Sequence, residues 1–290
     1  GLYQTITFKD ITDSSNFNEV LEVISKEFRE ILKNNNIKEE DKVLIIGLGN
    51  RKSTPDSLGP KVIDNILITR HLFNLKEGEV EEGFSNVSVF APGVYASTGI
   101  ESFDALKGII NETTPDYIII IDSLAASSID KVNKIIQITD SGIEPGSGIG
   151  NNRKEISSSS LNIPVIAIGI PTVVDAATIV KDTISFLMEK ISYNIANINN
   201  PKDKLSNPNA INYLNNGYNL NEEEKMKYFG LLGSLDDKEI KSLFLEVLSP
   251  IGYNFMVTPK EVDFLIDKLS LVLSKSINKV LHNNLNINNN

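Results

Sequence analysis

Residues 43–70 read VLIIGLGNRKSTPDSLGPKVIDNILITR, and this stretch decides the fold. It begins with the aliphatic run Val43–Ile46, which lacks the alternation of a half-exposed strand and is typical of a strand covered on both faces in a parallel sheet. Gly47 and Gly49 predict a sharp turn that brings a loop close to whatever binds there. The apolar residues that follow are spaced as in one long amphipathic helix, which we expect to continue as far as Arg70.

Asp56 lies between this strand and this helix, at the carboxyl end of the strand. In open α/β sheets, ligands bind at that edge. Strand and helix patterns alternate over residues 43–191, which predicts an α/β fold with a parallel or mixed sheet and helices on both faces. Further strands are predicted at 87–90, 117–121, 135–138 and 163–170. Asp122 is expected to close the most apolar of them.

We expect residues 1–290 to form a single α/β domain. Its core is predicted over about 37–191, followed by an Asn-rich loop over about 194–221 and a C-terminal helical part over 222–282. The Gly/Ser-rich run 139–152 is long for a loop, and loops of this length are uncommon unless they are functional. The Asn-rich tail from Asn283 is predicted to be loose.

The composition argues against several classes of function. A net charge of −10 leaves no surplus of cations to neutralise phosphates, so direct binding of nucleic acid is not expected. No apolar run approaches the ~20 residues that a membrane-spanning helix needs, and no signal peptide is recognisable. Because the chain has no cysteine, it has neither a disulfide nor a thiolate nucleophile or metal ligand. These features fit a cytoplasmic protein.

Asp56 and Asp122 are the main candidates for chemistry. Each follows a strand that ends at the same edge of the predicted sheet, so their carboxyl groups can meet there. Two close carboxyl groups do not both ionise easily, so one can serve as a general base while the other keeps a proton and serves as a general acid. The competing interpretation is structural, because an aspartate that precedes a helix often caps it. Spacing alone does not decide between the two.

Two familiar kinds of site have little support. The turn Gly47–Asn50 contains half of a dinucleotide-binding fingerprint, but Lys52 stands where the third glycine should be, so no nicotinamide cofactor is expected. A serine nucleophile would need a histidine base. His71 is expected at the far end of the central helix and His282 near the tail, so neither suits a Ser-His-Asp site.

A metal would have to be held mainly by oxygen ligands, namely Asp56 and Asp122 with Asp140 or Glu101, and their spacing is not diagnostic. We therefore expect neither a metal nor another cofactor. Candidate substrate-binding residues lie in the turn beside Asp56 and after the Gly/Ser-rich run: Gly49, Asn50, Arg153 and Lys154. The two cations could contact a substrate carboxylate or backbone carbonyl, although such a pair is more often part of a solvated turn.

Several long motifs resemble those of the germination protease family of spore-forming bacteria, and the resemblance spans about residues 37–269. They are GLGNRKSTPDSLGPK (47–61), LITRHLF (67–73), PGV and TGIE (within 92–101), IDSLAA (121–126), ITDSGIEPGSGIGNNRKEIS (138–157), IPVIAIGIPTVVDA (163–176) and MVTPKEVD (256–263).

The resemblance implies a three-layer α/β/α sandwich like that of the hydrogenase maturation proteases, with a mixed, mostly parallel sheet and added C-terminal helices. It implies an atypical aspartic endopeptidase that degrades small acid-soluble spore proteins in the spore core during germination. The family's two catalytic aspartates fall at Asp56 and Asp122. Its members are zymogens that remove an N-terminal prosegment and assemble as homotetramers. They begin upstream of Gly1, so we expect this chain to lack the prosegment cleavage site.

Three hypotheses follow. The favoured one is a peptidase in which Asp56 and Asp122 activate one water molecule. The second is a metal-dependent peptidase that uses the same site. The third is a truncated form that binds partners or self-associates without turnover.

Overall fold

The computed structural model describes residues 1–75, 80–146, 154–199, 213–214, 218–248, 250 and 255–283. The chain divides into two compact units. The first consists of Gly1–Ala126, Asp130–Val173 and Thr258–Asn290, and the second of Ser127–Ile129 and Val174–Val257. That the whole chain acts as one domain stays a prediction.

The first unit is built on a mixed sheet. Its strands are β1 (Tyr3–Thr7), β2 (Val43–Gly47), β3 (Val87–Phe90), β4 (Tyr117–Ala125), β5 (Ile135–Thr139) and β6 (Val165–Asp175), whose last two residues belong to the second unit. They lie side by side in the order β1-β5-β6-β4-β2-β3. β3, β2, β4 and β6 are parallel to one another, whereas β5 runs antiparallel to both of its neighbours. The carboxyl ends of β2, β4 and β6 therefore meet at one edge.

The register of the three central strands decides what meets at that edge. Gly47 of β2 pairs with Ile121 of β4, and Asp122 pairs with Gly169 of β6. β2 is buried along its whole length, as expected for a strand covered on both faces. The uninterrupted Val-Leu-Ile-Ile run is thus explained, because each face of the strand supplies apolar side chains to a separate core.

Helices cover both faces of this sheet. α1 (Ser14–Asn34), α2 (Leu58–Asp64) and a long C-terminal helix, Val262–Leu281, pack on one face together with alternate residues of the central strands. α5 (Ser102–Thr113) packs on the other face through Phe103, Leu106 and Ile110. The α/β prediction, with a mixed sheet between helical layers, is confirmed.

The remaining helices of the first unit are short, and the second unit is mostly helical. The short helices are α3 (Arg70–Asn74), α4 (Tyr95–Thr98) and α6 (Ser158–Leu161), and the second unit contains α7 (Ala176–Ala196), α8 (Glu222–Phe229) and α9 (Asp237–Leu248). The C-terminal helix is numbered α10. In the second unit, the two residues that end β6 pair antiparallel with β7 (Met256–Val257).

The prediction of one long helix after Asp56 is wrong. α2 ends at Asp64, and Asn65 occupies its C-cap position. The chain then runs without a helix until α3 begins at Arg70. Tertiary bonds hold this break: the Asn65 carbonyl and the Leu67 amide both bind the side-chain amide of Asn278 in α10, at 2.9 Å and 3.0 Å. These contacts come from a distant part of the chain, so local periodicity does not reveal them.

Two strand boundaries also differ from the prediction. β4 continues three residues past Asp122 to Ala125, and β6, which was predicted to end at residue 170, continues to Asp175 before α7 begins. In both places pairing extends the strand: Ser123 and Leu124 pair with residues of β6, while Val174 and Asp175 pair with β7.

Some predictions fall partly outside the described residues. These are the loop over 139–152 beyond residue 146, most of the Asn-rich segment 194–221 and the tail after Asn283. Within the described ranges, no helix is long and apolar enough to span a membrane.

Candidate active site

A 3₁₀ turn, Thr54–Asp56, carries the first candidate carboxylate. The backbone N–H of Asn50 lies 2.9 Å from both the carbonyl oxygen and Oδ2 of Asp56, so one donor faces two acceptors of the same residue. The Asn50 side chain accepts a bond from the Lys52 amide at 3.0 Å, which stabilises the loop that presents this donor. The Asp56 backbone and carboxylate are thus both tied to the end of β2.

Glycines allow that loop to close. Gly49 has φ +113°, a conformation that side chains disfavour, and a Cβ there would stand 2.0 Å from the Asp56 carbonyl oxygen. A Cβ on Gly59 would stand 2.4 Å from the Leu48 carbonyl and 2.5 Å from the Ile121 carbonyl. The first turn of α2 therefore lies directly on the ends of β2 and β4, with backbone against backbone.

Asp122 is the residue that follows Ile121, at this same point of contact. It is 7% exposed, and its Oδ1 accepts a bond from the Ser123 amide at 2.9 Å. The Ile121 carbonyl accepts a bond from the Leu48 amide at 2.9 Å, which joins the end of β4 to the turn that follows β2. The 3₁₀ turn itself contacts β4. The structure thus places the elements bearing Asp56 and Asp122 together at the carboxyl edge of the sheet.

The capping interpretation does not hold for either residue. Ser57, not Asp56, occupies the N-cap position of α2, and no side chain caps that helix. Asp122 lies inside β4 and precedes no helix. Asp175 shows what a capping aspartate looks like in this protein, since its carboxylate accepts bonds from the amide and hydroxyl of Thr178 in the first turn of α7.

The four candidate substrate-binding residues do not all lie near Asp56. Gly49 and Asn50 lie beside Asp56, where they shape its loop. Lys154 lies on the surface and forms a 3.0 Å ion pair with Asp104 of α5, with the Phe103 ring 5.5 Å from its ammonium group. Arg153 lies outside the described residues. A role in substrate binding stays a prediction for all four.

The structure does not bring the proposed additional metal ligands together with the aspartate pair. Asp140 follows β5, which is antiparallel, so it lies at the opposite edge, where its carboxylate binds the Leu2 amide and the Asn35 side chain. Glu101 occupies the N-cap position of α5. Among the described residues, no group of three or more His, Asp or Glu side chains could hold a metal ion.

Neither histidine takes part in this site. His71 lies exposed in α3, and His282 is fully buried at the end of α10, where Nε2 is 3.2 Å from the Leu67 carbonyl oxygen. Burial lowers the pKa of His282 below its usual value, although its bond to Leu67 acts in the opposite direction.

Sequence reasoning missed three polar residues near the aspartates. Thr172 at the end of β6 is fully buried and donates a 2.6 Å bond from Oγ1 to the Pro55 carbonyl. Thr258 donates a 2.8 Å bond to the Thr172 carbonyl. Ser123 follows Asp122, and its buried Oγ has no hydrogen-bond partner among the described residues. Thr172 and Thr258 lie within two of the motifs that resemble those of the family, and this was the one feature of the sequence that could have pointed to them.

Fold and site together define a class: an α/β protein whose mixed sheet carries two aspartates at the carboxyl edge of its central strands. The sequence model of the germination protease family matches residues 1–290, and the chain belongs to this family. Proteolysis is therefore its class of activity.

Relatives and solved structures give the following similarities. The chain is 46% identical to a germination protease from Priestia megaterium over 266 residues, which is 90% of this chain and 72% of that protein. It is 43% identical to a germination protease from Bacillus subtilis over 289 residues, which is 97% of this chain and 78% of that protein. A hydrogenase maturation protease from Thermococcus kodakarensis aligns with 46% of this chain and 75% of its own, at 16% identity and a TM-score of 0.30.

Proposed function

We propose that this protein is an endopeptidase that degrades small acid-soluble spore proteins in the spore core during germination, with Asp56 and Asp122 activating one water molecule. The observation that carries the mechanism is the close approach of Gly59 to the Ile121 carbonyl, because it sets the first turn of α2, three residues after Asp56, against the residue that precedes Asp122. The family and its relatives, which are named germination proteases, support proteolysis during germination, and the substrate is the one that the resemblance of the motifs implies.

The chemistry follows from two carboxyl groups that share one cleft. One carboxylate takes a proton from the water, whose oxygen then adds to the carbonyl carbon of the substrate. The other, protonated, gives its proton to the departing amide nitrogen as the C–N bond breaks. The products are a carboxylic acid and an amine, and the pair is left with one proton in total. Because such a pair titrates as a unit, the two roles belong to the dyad rather than to a fixed residue.

The Asn50 amide supports this mechanism. By binding both the carbonyl and the carboxylate of Asp56, it restricts the rotation of that side chain. A carboxyl group that is already oriented reacts with less loss of entropy than a mobile one, and effects of this kind can be worth orders of magnitude in rate.

The test is cleavage of a purified small acid-soluble spore protein by the wild-type chain and by the variants Asp56→Asn and Asp122→Asn. Each variant keeps the size of the side chain, so we expect the circular dichroism spectrum to be preserved while kcat falls by about 10³-fold or more. Asp263→Asn is the matched control, because Asp263 is exposed in the first turn of α10. Full activity of both Asp56 and Asp122 variants would refute the mechanism.

A metal-dependent mechanism at the same site is distinguished by a chelator. Loss of cleavage in EDTA, restored by a divalent ion, would favour it over the two-aspartate mechanism. If the wild-type chain leaves the spore protein intact under all conditions, a non-catalytic binding role would replace both.

We also propose that the working form is a homo-oligomer, a tetramer in the first instance. Support comes from large apolar side chains that the second unit leaves exposed on α9 and just after α8: Leu231 is 80% exposed, Val247 60% and Leu245 46%. Where exposed apolar side chains form a contiguous patch, they mark protein contacts. Sedimentation equilibrium of the purified chain measures the mass directly.

A further inference from the structure

One hydrogen bond ties the Asp56 turn to β6. Of the four carbonyl groups from Ser53 to Asp56, three receive their donors from within the turn or from Asn50. The exception among the described contacts is the carbonyl of Pro55, which accepts from Oγ1 of Thr172 at 2.6 Å. Thr172 is fully buried and Pro55 is half-buried, so the donor of this bond has no contact with solvent.

Thr172 is held in turn from the C-terminal part of the chain. Oγ1 of Thr258 donates to the Thr172 carbonyl at 2.8 Å. Four residues after Thr258, α10 begins at Val262, and this helix contacts the 3₁₀ turn. The two threonines therefore form a chain of two hydrogen bonds that runs from the entry of α10, through the end of β6, to the residue before Asp56.

β6 is also the strand that fixes Asp122. Asp122 pairs with Gly169, and the pairing of β4 with β6 continues beyond it to Ala125 and Val173. The same strand thus sets the position of both aspartates, Asp122 through backbone pairing and Asp56 through the hydroxyl of Thr172.

We propose that Thr172 is a positioning residue that sets the separation of Asp56 from Asp122, and that Thr258 supports it by holding its backbone. This inference rests on the proposed two-aspartate mechanism. In this mechanism Thr172 takes no part in proton transfer or in the breaking of the peptide bond. Its effect reaches the reaction only through the place of the Asp56 carboxyl group.

Removing the hydroxyl should leave a specific signature. Thr172→Val keeps the shape of the side chain but removes the donor to the half-buried Pro55 carbonyl, so the turn loses the hydrogen bond that ties it to β6 and can shift. A displacement of about 1 Å at a catalytic group can cost 10²-fold in rate. A change in the separation of the two carboxyl groups alters the repulsion that separates their two apparent pKa values, so the spacing between the two limbs of the pH profile of cleavage should change.

The experiment compares Thr172→Val, Thr172→Ser and Thr258→Val with the wild-type chain in cleavage of a small acid-soluble spore protein. We expect Thr172→Val to lower kcat about 10- to 100-fold with KM within about twofold, and to change the spacing between the two limbs of the pH profile of kcat. Thr172→Ser keeps the hydroxyl and should retain the profile. Thr258→Val should give a smaller change in the same direction, and it serves as the second test if Thr172→Val does not fold.

The outcomes separate this inference from the proposed function. If Asp56→Asn and Asp122→Asn abolish cleavage while folded Thr172→Val keeps the wild-type kcat and pH profile, the positioning role is wrong and the mechanism stands. If Thr172→Val merely lowers the melting temperature and leaves kcat and the profile unchanged at a temperature where it is folded, its role is structural only. If the Asp56 and Asp122 variants are active, both proposals fail.

Discussion

At the scale of single residues, the site depends on two glycines, Gly49 and Gly59, whose lack of a side chain allows close backbone contacts. Because Gly49 has no side chain, the Asp56 carbonyl oxygen can lie close to its Cα. A Cβ at this position would stand 2.0 Å from that oxygen. Gly59 does the same for α2 against the ends of β2 and β4. The Gly-rich turn was predicted from the sequence, but the need for a glycine was not, because the residue that occupies the space, Asp56, follows seven positions later through a 3₁₀ turn.

Gly49→Ala tests this reading. The substitution forces a side chain into φ +113° and against the Asp56 carbonyl, so we expect it to lower the free energy of unfolding by roughly 2 kcal/mol or more and to reduce kcat. Urea unfolding and cleavage assays measure the two effects.

Gly108→Ala is the matched control for that substitution. Gly108 lies in α5, and a Cβ there would meet nothing within 4 Å. Since alanine favours a helix over glycine, we expect this variant to be more stable by about 0.5–1 kcal/mol and fully active. A Gly49→Ala variant with the stability and kcat of the wild type would show that the close approach is not needed.

At the scale of elements, the sequence predicted what local pattern controls. The buried strands β2 and β4 begin where the hydrophobic pattern placed them, because that pattern is read within one element. The predicted helix after Asp56 failed at Asn65, where bonds from Asn278 of α10 hold the chain in a different path. Asp122 was expected to end its strand, but pairing with β6 carries β4 further. In both cases the predicted boundary was wrong because the element interacts with a distant part of the chain.

The start of α7 offers an element-scale test. Asp175 caps this helix through Thr178 and also binds Lys241 at 2.9 Å. Burial alone would raise the pKa of Asp175, but the bonds from Lys241 and Thr178 outweigh it and lower the pKa. We expect Asp175→Ala to lower the free energy of unfolding by about 1 kcal/mol near neutral pH, while Asp175→Ser, which retains a cap, loses less.

The pH dependence of this effect has a definite sign. Because the pKa of Asp175 is lower in the folded protein than in the unfolded chain, its contribution is present above about pH 4 and is lost as the pH falls through the acid range. The difference in unfolding free energy between wild type and Asp175→Ala should therefore shrink on acidification. A difference that grows toward low pH would contradict this assignment.

At the scale of the whole molecule, a buried histidine joins the end of the C-terminal helix to two earlier segments of the first unit. His282 contacts the Leu67 carbonyl and the Phe84 ring, with ring centroids 5.4 Å apart, and Nδ1 has no partner among the described residues. Protonation would add a buried charge and a donor without an acceptor. The unfolded chain therefore takes up this proton more readily than the folded protein.

We expect the stability of the wild-type chain to fall as the pH drops below about 6.5, with a slope from His282 of at most about 1.4 kcal/mol per pH unit. His282→Gln, which does not titrate, should lose that component of the slope, and His71→Gln at an exposed position serves as the control. Urea unfolding at pH 7.5, 6.0 and 5.0 measures it. Equal slopes in wild type and His282→Gln would contradict the assignment.

The site as a whole was predicted in part. Two parallel strands recognised in the sequence already place Asp56 and Asp122 at one edge of the sheet. The catalytic role of the two residues, which the resemblance implies, stays a prediction. The tie through Thr172 could not be predicted, because it depends on β6 lying next to β4, an order that the chain itself does not spell out.

Cooperation between the two aspartates is tested most directly by a double-mutant cycle on kcat/KM for cleavage of a small acid-soluble spore protein. Two groups that act on one water molecule fail together, so the double variant Asp56→Asn/Asp122→Asn should be no slower than the worse single variant, within about threefold. Losses that multiply, with the double variant slower by the product of the two single effects, would show that the aspartates act independently and would contradict a shared site.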